Sequence, residues 1–290
     1  MSVLAVSQSA LPSSEALAAM LDRLPEAAPV VVLIHGYRYA PGVPGHDPHD
    51  LILSPDVRDP RRRIISWPRH LRLLGDDTLA VAFGWNARGG IWGAYRRAGV
   101  AGRDLAEVIA RIKAVAPDRP IHVLAHSLGA RVALATLPHC PRGSVQRVIL
   151  IAGAAFRAEA AAVMASDTGA RPEVLHVRGP ENTFFEALLR AAFPWAGPSL
   201  GAGLPGVAGW VDLALDRPGV LPSLARLGHR IAPHRARICH WSGYTRPGIF
   251  GLYRAVLSGR VPMAALARAG VPPAAPRPIR PRRRAGQTVR

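Results

Sequence analysis

A chain of 290 residues with 49% hydrophobic and 19% charged residues has the material for one large core, which excludes a mainly disordered protein. Its formal charge of +18 suggests a nucleic-acid partner, but Lys113 is the only lysine among 37 basic residues, and neither a recognition motif nor an aromatic-interleaved basic stretch accompanies the arginines. Cys140 and Cys239 are too few for a disulfide framework and read as buried or partly buried thiols.

The N-terminal stretch carries Glu15 and Asp22 inside its apolar run and has no basic leader, so it reads as a first amphipathic helix rather than a signal peptide, and a cytoplasmic location is expected. No apolar run approaches the ~20 residues of a membrane-spanning helix. PVVVLIHGY then reads as a strand buried on both faces. Residues 40–63 are rich in turn formers and predict a long surface excursion, which includes HDPHD. His46, Asp47, His49 and Asp50 match no zinc spacing, so a solvated loop is expected and no metal site is assigned.

RIISW reads as a short strand and TLAVAFGW as a longer one. Residues 98–115 place Ala101, Leu105, Val108, Ile109 and Ile112 on one helical face. Strands follow at IHVLA, VQRVILIAG and EVLHV, with a last one at RARICHW; helices are expected near 156–165 and 183–192 and across IFGLYRAVL. The alternation implies an α/β fold with a mostly parallel central sheet flanked by helices, one domain over residues 1–262. The Pro- and Arg-rich stretch 263–290 reads as a disordered tail suited to peripheral contact with anionic surfaces.

The chemistry centres on AHSLG. A nucleophilic serine needs a sharp strand-to-helix turn with small residues two before and two after it, and Ala125 and Gly129 supply them around Ser127. The turn aims the Leu128 N–H at a developing oxyanion, and LIHGY offers a second donor from Tyr37 or Arg38. A helix cap is the plainer role for Ser127, but it leaves the coincidence of both motifs unexplained.

On these residues the chain resembles the α/β-hydrolase superfamily, and within it uncharacterised bacterial esterase-like members with an FGW-type strand end. The resemblance covers about residues 28–257 and departs from the usual G-x-S-x-G at Ala125. It implies a serine hydrolase acting on an ester or related acyl bond of a small molecule, without a cofactor, with its base after the last strand. His240 in RICHW takes that place, ahead of His229 and His234; His126 is expected to project away, and His35 to shape the oxyanion loop. The resemblance places the acid after EVLHV, where Glu181 is nearest the strand end; Glu186, Asp212 and Asp216 stay open, and Asn182 and Thr183 stand where an aspartate is expected. Trp85 and Arg88, beyond a strand end, are candidates to line the substrate pocket, and the broken apolar segment 191–210 is a lid or a connecting loop. The rival reading is a non-catalytic scaffold binding a membrane, nucleic-acid or protein partner through its basic surface.

Overall fold

The computed structural model describes residues 3–57, 64–166 and 171–270. Its strands are Val3–Ser7 (β1), Val30–Ile34 (β2), Leu79–Gly84 (β3), Ile121–His126 (β4), Arg147–Ile151 (β5), Glu173–Arg178 (β6) and Trp210–Ala214 (β7). They form one sheet in the order β1-β3-β2-β4-β5-β6-β7, with every pairing parallel.

The period of two along each strand divides the apolar residues between two cores. Val30, Val32 and Ile34 of β2, with Val123 and Ala125 of β4, face helices Ser14–Leu21 (α1), Ile91–Val115 (α3), Gly129–Thr136 (α4) and Arg157–Ala165 (α5). Val31 and Leu33, with Leu124, Ile149 and Ile151, face the opposite layer. That layer holds the short helix Trp67–His70 (α2), Val220–Arg226 (α7), Ser242–Thr245 (α8), Ile249–Leu257 (α9) and Met263–Gly270 (α10). Thr183–Ala192 (α6) stands beyond the carboxyl end of β6 and enters the first core through Leu189.

The expected strands from β2 to β6 and the helices α4, α5, α6 and α9 are present, but four expectations change. RIISW forms no strand: Ile64 and Ile65 pack against the second core, and Ser66 caps α2 by accepting from the Arg69 N–H at 3.2 Å. RARICHW is not the last strand, because the free edge of β6 pairs with β7, Val174 opposite Trp210. The excursion is not wholly superficial, since Leu51, Ile52 and Leu53 are buried, Ile52 and Leu53 against the second core; residues 58–63 lie outside the described residues. The expected tail starts too early at 263, because Met263, Leu266 and Ala269 recur on one face of α10 and bury that face beside β7. The remainder, 271–290, lies outside the described residues. The edge strand β1 and the earlier start of α3 at Ile91 were not read from the sequence. Among the described residues no helix is long and apolar enough to cross a membrane. Cys140 is buried and Cys239 half-buried.

One buried cation ties the entry of β2 to the end of α1. Arg119 donates to the carbonyls of Pro25 and Ala28, both at 2.9 Å, and of Leu21 at 3.3 Å. Arg119→Met strands those carbonyls and is expected to lower unfolding free energy by ~1.5–3 kcal/mol in a denaturant titration, with the chain still folding to a soluble product. An unchanged midpoint and slope would show that the staple carries no stability.

Candidate active site

Four parallel strands end on the same side of the sheet, and their carboxyl ends build the site. Beyond β4 the chain turns so sharply that Ser127 adopts φ 55°, a left-handed conformation that costs a non-glycine residue about 1–3 kcal/mol. Three backbone bonds hold it there: the Ser127 N–H donates to Ile151 at 2.9 Å, and the Ser127 carbonyl accepts from Ala130 at 3.0 Å and Ala154 at 2.9 Å. The turn needs close backbone approach on both sides. A Cβ on Gly129 would lie 2.6 Å from the His35 carbonyl, and one on Gly36 would lie 2.8 Å from the Ser127 Cβ.

His240 comes to this serine from an irregular segment. Its Nε2 is 2.6 Å from Ser127 Oγ and its Nδ1 is 2.5 Å from Asn182 Oδ1. A carbonyl oxygen only accepts, so Nδ1 carries the proton and donates to Asn182, leaving Nε2 as the lone-pair face toward the hydroxyl. Asn182 is oriented in turn: its Nδ2 donates to Glu186 Oε1 at 3.1 Å. The imidazole lies between two rings, with Phe185 and His126 each centred 4.6 Å away. The His126 Nε2–H also donates to the His240 carbonyl at 2.9 Å. Burial without a charged partner pushes the His240 pKa down to about 4.

Of the residues expected in the site, Ser127 and His240 meet, and Glu181 does not join them. Burial alone would raise its pKa, but hydrogen bonds from Ser242 and Arg246 hold the carboxyl below the usual range. Arg246 Nη2 lies 2.5 Å from Oε1, and the Glu181 carbonyl accepts the Cys239 N–H at 2.9 Å. Glu181 therefore anchors the segment that carries His240 and is not the residue that orients its ring. Asp212 is also engaged elsewhere, with His176 Nδ1 at 2.9 Å and the Leu204 N–H at 2.5 Å, and Asp216 is exposed.

The loop after β2 distinguishes the two donors expected there. The Arg38 N–H is spent on the Ala87 carbonyl at 3.0 Å, whereas Tyr37 and Leu128 line the cavity and their N–H groups have no acceptor among the described residues. His35 shapes this loop: its Nδ1–H donates to the Gly36 carbonyl at 2.8 Å and its Nε2 accepts the Trp85 N–H at 3.1 Å. Burial drives the His35 pKa down to about 3, which fixes it as a neutral brace.

Trp85 is fully buried and stacks on His35 with centroids 5.6 Å apart, so it supports the loop from behind and does not line the pocket. Arg88 also stays outside it. Around Ser127 lies a cavity of about 530 Å³ whose walls include Tyr39, Ile91, Phe185 and Leu189. Its cover is α6, not segment 191–210, which turns away in 3₁₀ turns at Pro194–Ala196 and Leu200–Ala202. In HDPHD, Asp47 accepts from the Gly42 and His49 N–H groups at 2.6 and 2.9 Å, and His49 Nε2–H donates to Ala82 at 3.0 Å, which locks the loop to β3.

Sequence reasoning missed two residues here. Asn182 was passed over because a carboxylate was sought, although it stands where an aspartate was expected. His126, expected to project away, lines the same cavity as Ser127 and reaches the His240 carbonyl, a contact between segments 114 residues apart that local patterning does not reveal.

The family model for the S33 serine aminopeptidases matches residues 84–178, from the end of β3 to the end of β6. That span contains the Ser127 turn and stops short of Asn182 and His240. No curated protein matches the sequence. Similar solved structures include an acetylxylan esterase, 14% identical over 46% of this chain and 66% of that one with a TM-score of 0.30. Another is a lipase-esterase related protein from Clostridium acetobutylicum, 13% identical over 46% of each chain with a TM-score of 0.26. A third is an esterase of Thermogutta terrifontis, 15% identical over 66% of this chain and 74% of that one with a TM-score of 0.32. The chain spans under two thirds of the length of the first two.

Neutral buried histidines set an acid limit on stability. His35, His122 and His240 have folded pKa values of about 3, 4 and 4 against 6.5 for a free imidazole, all from burial first. The folded chain thus binds fewer protons than the unfolded chain below pH 6.5, so stability is full above that value and falls as pH drops toward 4. Thermal scans from pH 7 to pH 4 are expected to show a steadily falling Tm; a flat Tm across that window would contradict the burial of these rings.

Proposed function

We propose that this α/β-hydrolase-fold protein is a serine hydrolase that cleaves a carboxylic ester or related acyl bond of a small molecule through an acyl-enzyme on Ser127. The observation that carries the reading is the unbroken chain of contacts from Ser127 Oγ through both nitrogens of His240 to Asn182. The S33 family match over the serine turn points the same way, to a hydrolase.

The steps follow from the geometry. His240 Nε2 takes the Ser127 proton as Oγ attacks the acyl carbon, and the carbonyl π electrons move onto oxygen, which the Leu128 and Tyr37 N–H groups receive. Collapse breaks the acyl–oxygen bond while Nε2–H protonates the leaving alkoxide. Water enters and bonds to the acyl carbon as His240 takes its proton, and the second collapse breaks the Ser127 Oγ–acyl bond and returns that proton to Ser127 with release of the acid. Each step uses residues of the chain and water alone.

Asn182 orients His240 as an aspartate would, but it brings no charge to stabilise the imidazolium. The base is correspondingly weak, which favours reactive acyl groups, esters and thioesters, over amides. Glu186 acts one step further back by fixing the amide of Asn182.

A serine-directed fluorophosphonate tests the reading. Folded wild-type protein is expected to be labelled on Ser127, Ser127→Ala not at all, and His240→Ala more slowly by a factor on the order of 10⁴. Absence of label on folded wild type, or equal labelling of Ser127→Ala, would overturn it.

A further inference from the structure

The mouth of the cavity is ringed by apolar side chains that the fold leaves uncovered. Trp92, Phe184, Leu188, Trp195, Ile238 and Trp241 are between 50% and 76% exposed, and they include three of the chain's six tryptophans. All of them but Ile238 are tied to the cavity rim or to α6. Leu188 and Trp241 stand on the cavity rim itself. Phe184 packs edge-on against Phe185 of the cavity wall, with centroids 5.6 Å apart. Trp92 Nε1–H donates to the Ala192 carbonyl at the end of α6 at 2.7 Å, and Trp92 and Trp195 border one shallow cleft with Arg96. Helix α6 is thus apolar on two sides: Leu189 is buried in the core, while Phe184 and Leu188, one turn apart, face outward.

Charge accompanies this surface. Arg38, on the cavity wall, Arg96, in the cleft with Trp92 and Trp195, and Arg190, on α6, are exposed, and none of them meets a carboxylate among the described residues. Tryptophan with arginine around an apolar centre is the composition that seats a protein in the headgroup layer of a membrane, rings in the interface and guanidinium groups on phosphates.

We propose that this face docks on an anionic phospholipid surface. The position of the opening decides among occupants. A protein partner or a second copy seated on this face would cover the rim where Leu188 and Trp241 stand, whereas a lipid surface places acyl chains at the mouth of an apolar cavity. Combined with the serine hydrolase reading, on which this clause rests, the substrate class is an acyl ester that partitions into that surface.

The test uses the full chain, wild type and the double variant Phe184→Ser/Trp195→Ser, whose residues lie outside the cavity wall. Sedimentation is measured with vesicles of phosphatidylcholine, with and without phosphatidylglycerol. Wild type is expected to sediment with the anionic vesicles, less so in high salt, and the double variant to bind at least about tenfold more weakly. Its fluorophosphonate labelling in vesicle-free solution is expected to equal that of wild type, which separates this proposal from the catalytic one. Equal sedimentation of both proteins, which would place the binding elsewhere, overturns the proposal. So does a wild type that ignores anionic vesicles, including one that instead forms a dimer lost in the double variant. Loss of vesicle binding in the variant, with no labelling of either protein, would sustain the docking face and remove the hydrolase reading.

Discussion

The left-handed backbone at Ser127 is the constraint from which the rest of the site follows. It places Oγ clear of the sheet only because the ends of two neighbouring strands converge on it: β5 accepts its N–H through Ile151, the chain beyond β5 returns a donor from Ala154, and the end of β2 passes within contact of Gly129. Parallel strands, buried on both faces by residues that alternate between two cores, hold those ends in register, Ile34 opposite Ala125 and His126 opposite Ile151. The stabilisation of a large sheet thus sustains a local strain of about 1–3 kcal/mol where the chemistry needs it.

Around that serine the chain separates two tasks that one carboxylate often performs together. Asn182 orients the imidazole without charge, while Glu181, its neighbour, spends its charge on Arg246 and Ser242 and fixes the irregular segment that delivers His240. His126 and Phe185 fill the space on either side of the ring. The consequence is an imidazole with a low pKa whose geometry is closely defined, so its neutral form is retained far into the acid range.

Much of this was legible in the sequence, for physical reasons. Apolar runs identified β2 to β6, and the small residues flanking Ser127 and the glycine after His35 identified the turn at Ser127 and its facing loop, since steric constraints on tight turns are written locally. Trp210–Ala214 was hidden because Asp212 interrupts its apolar pattern, and that aspartate is explained only by His176 on the neighbouring strand. RARICHW imitated a strand, yet it pairs with no strand of the sheet. The orienting residue was harder still. Glu181 and Asn182 are adjacent in sequence yet point to different partners, and that choice is made by Arg246 and His240, about 60 residues away. Trp85 and Arg88 were drawn toward the pocket by their place after a strand, whereas the stacking of Trp85 on His35 put it behind the loop.

In the proposed mechanism a neutral His240, held by a neutral amide, is the base for Ser127. The pH dependence of kcat/KM on a soluble short-chain ester tests it most directly, because its acidic limb reports the base in the free enzyme. Wild type is expected to keep its activity down to a limb near pH 4, and Asn182→Asp, by placing a carboxylate beside the ring, is expected to move that limb upward toward the ordinary imidazole range. A wild-type limb already at or above 6.5, unmoved by Asn182→Asp, would contradict both the base and its orienting partner.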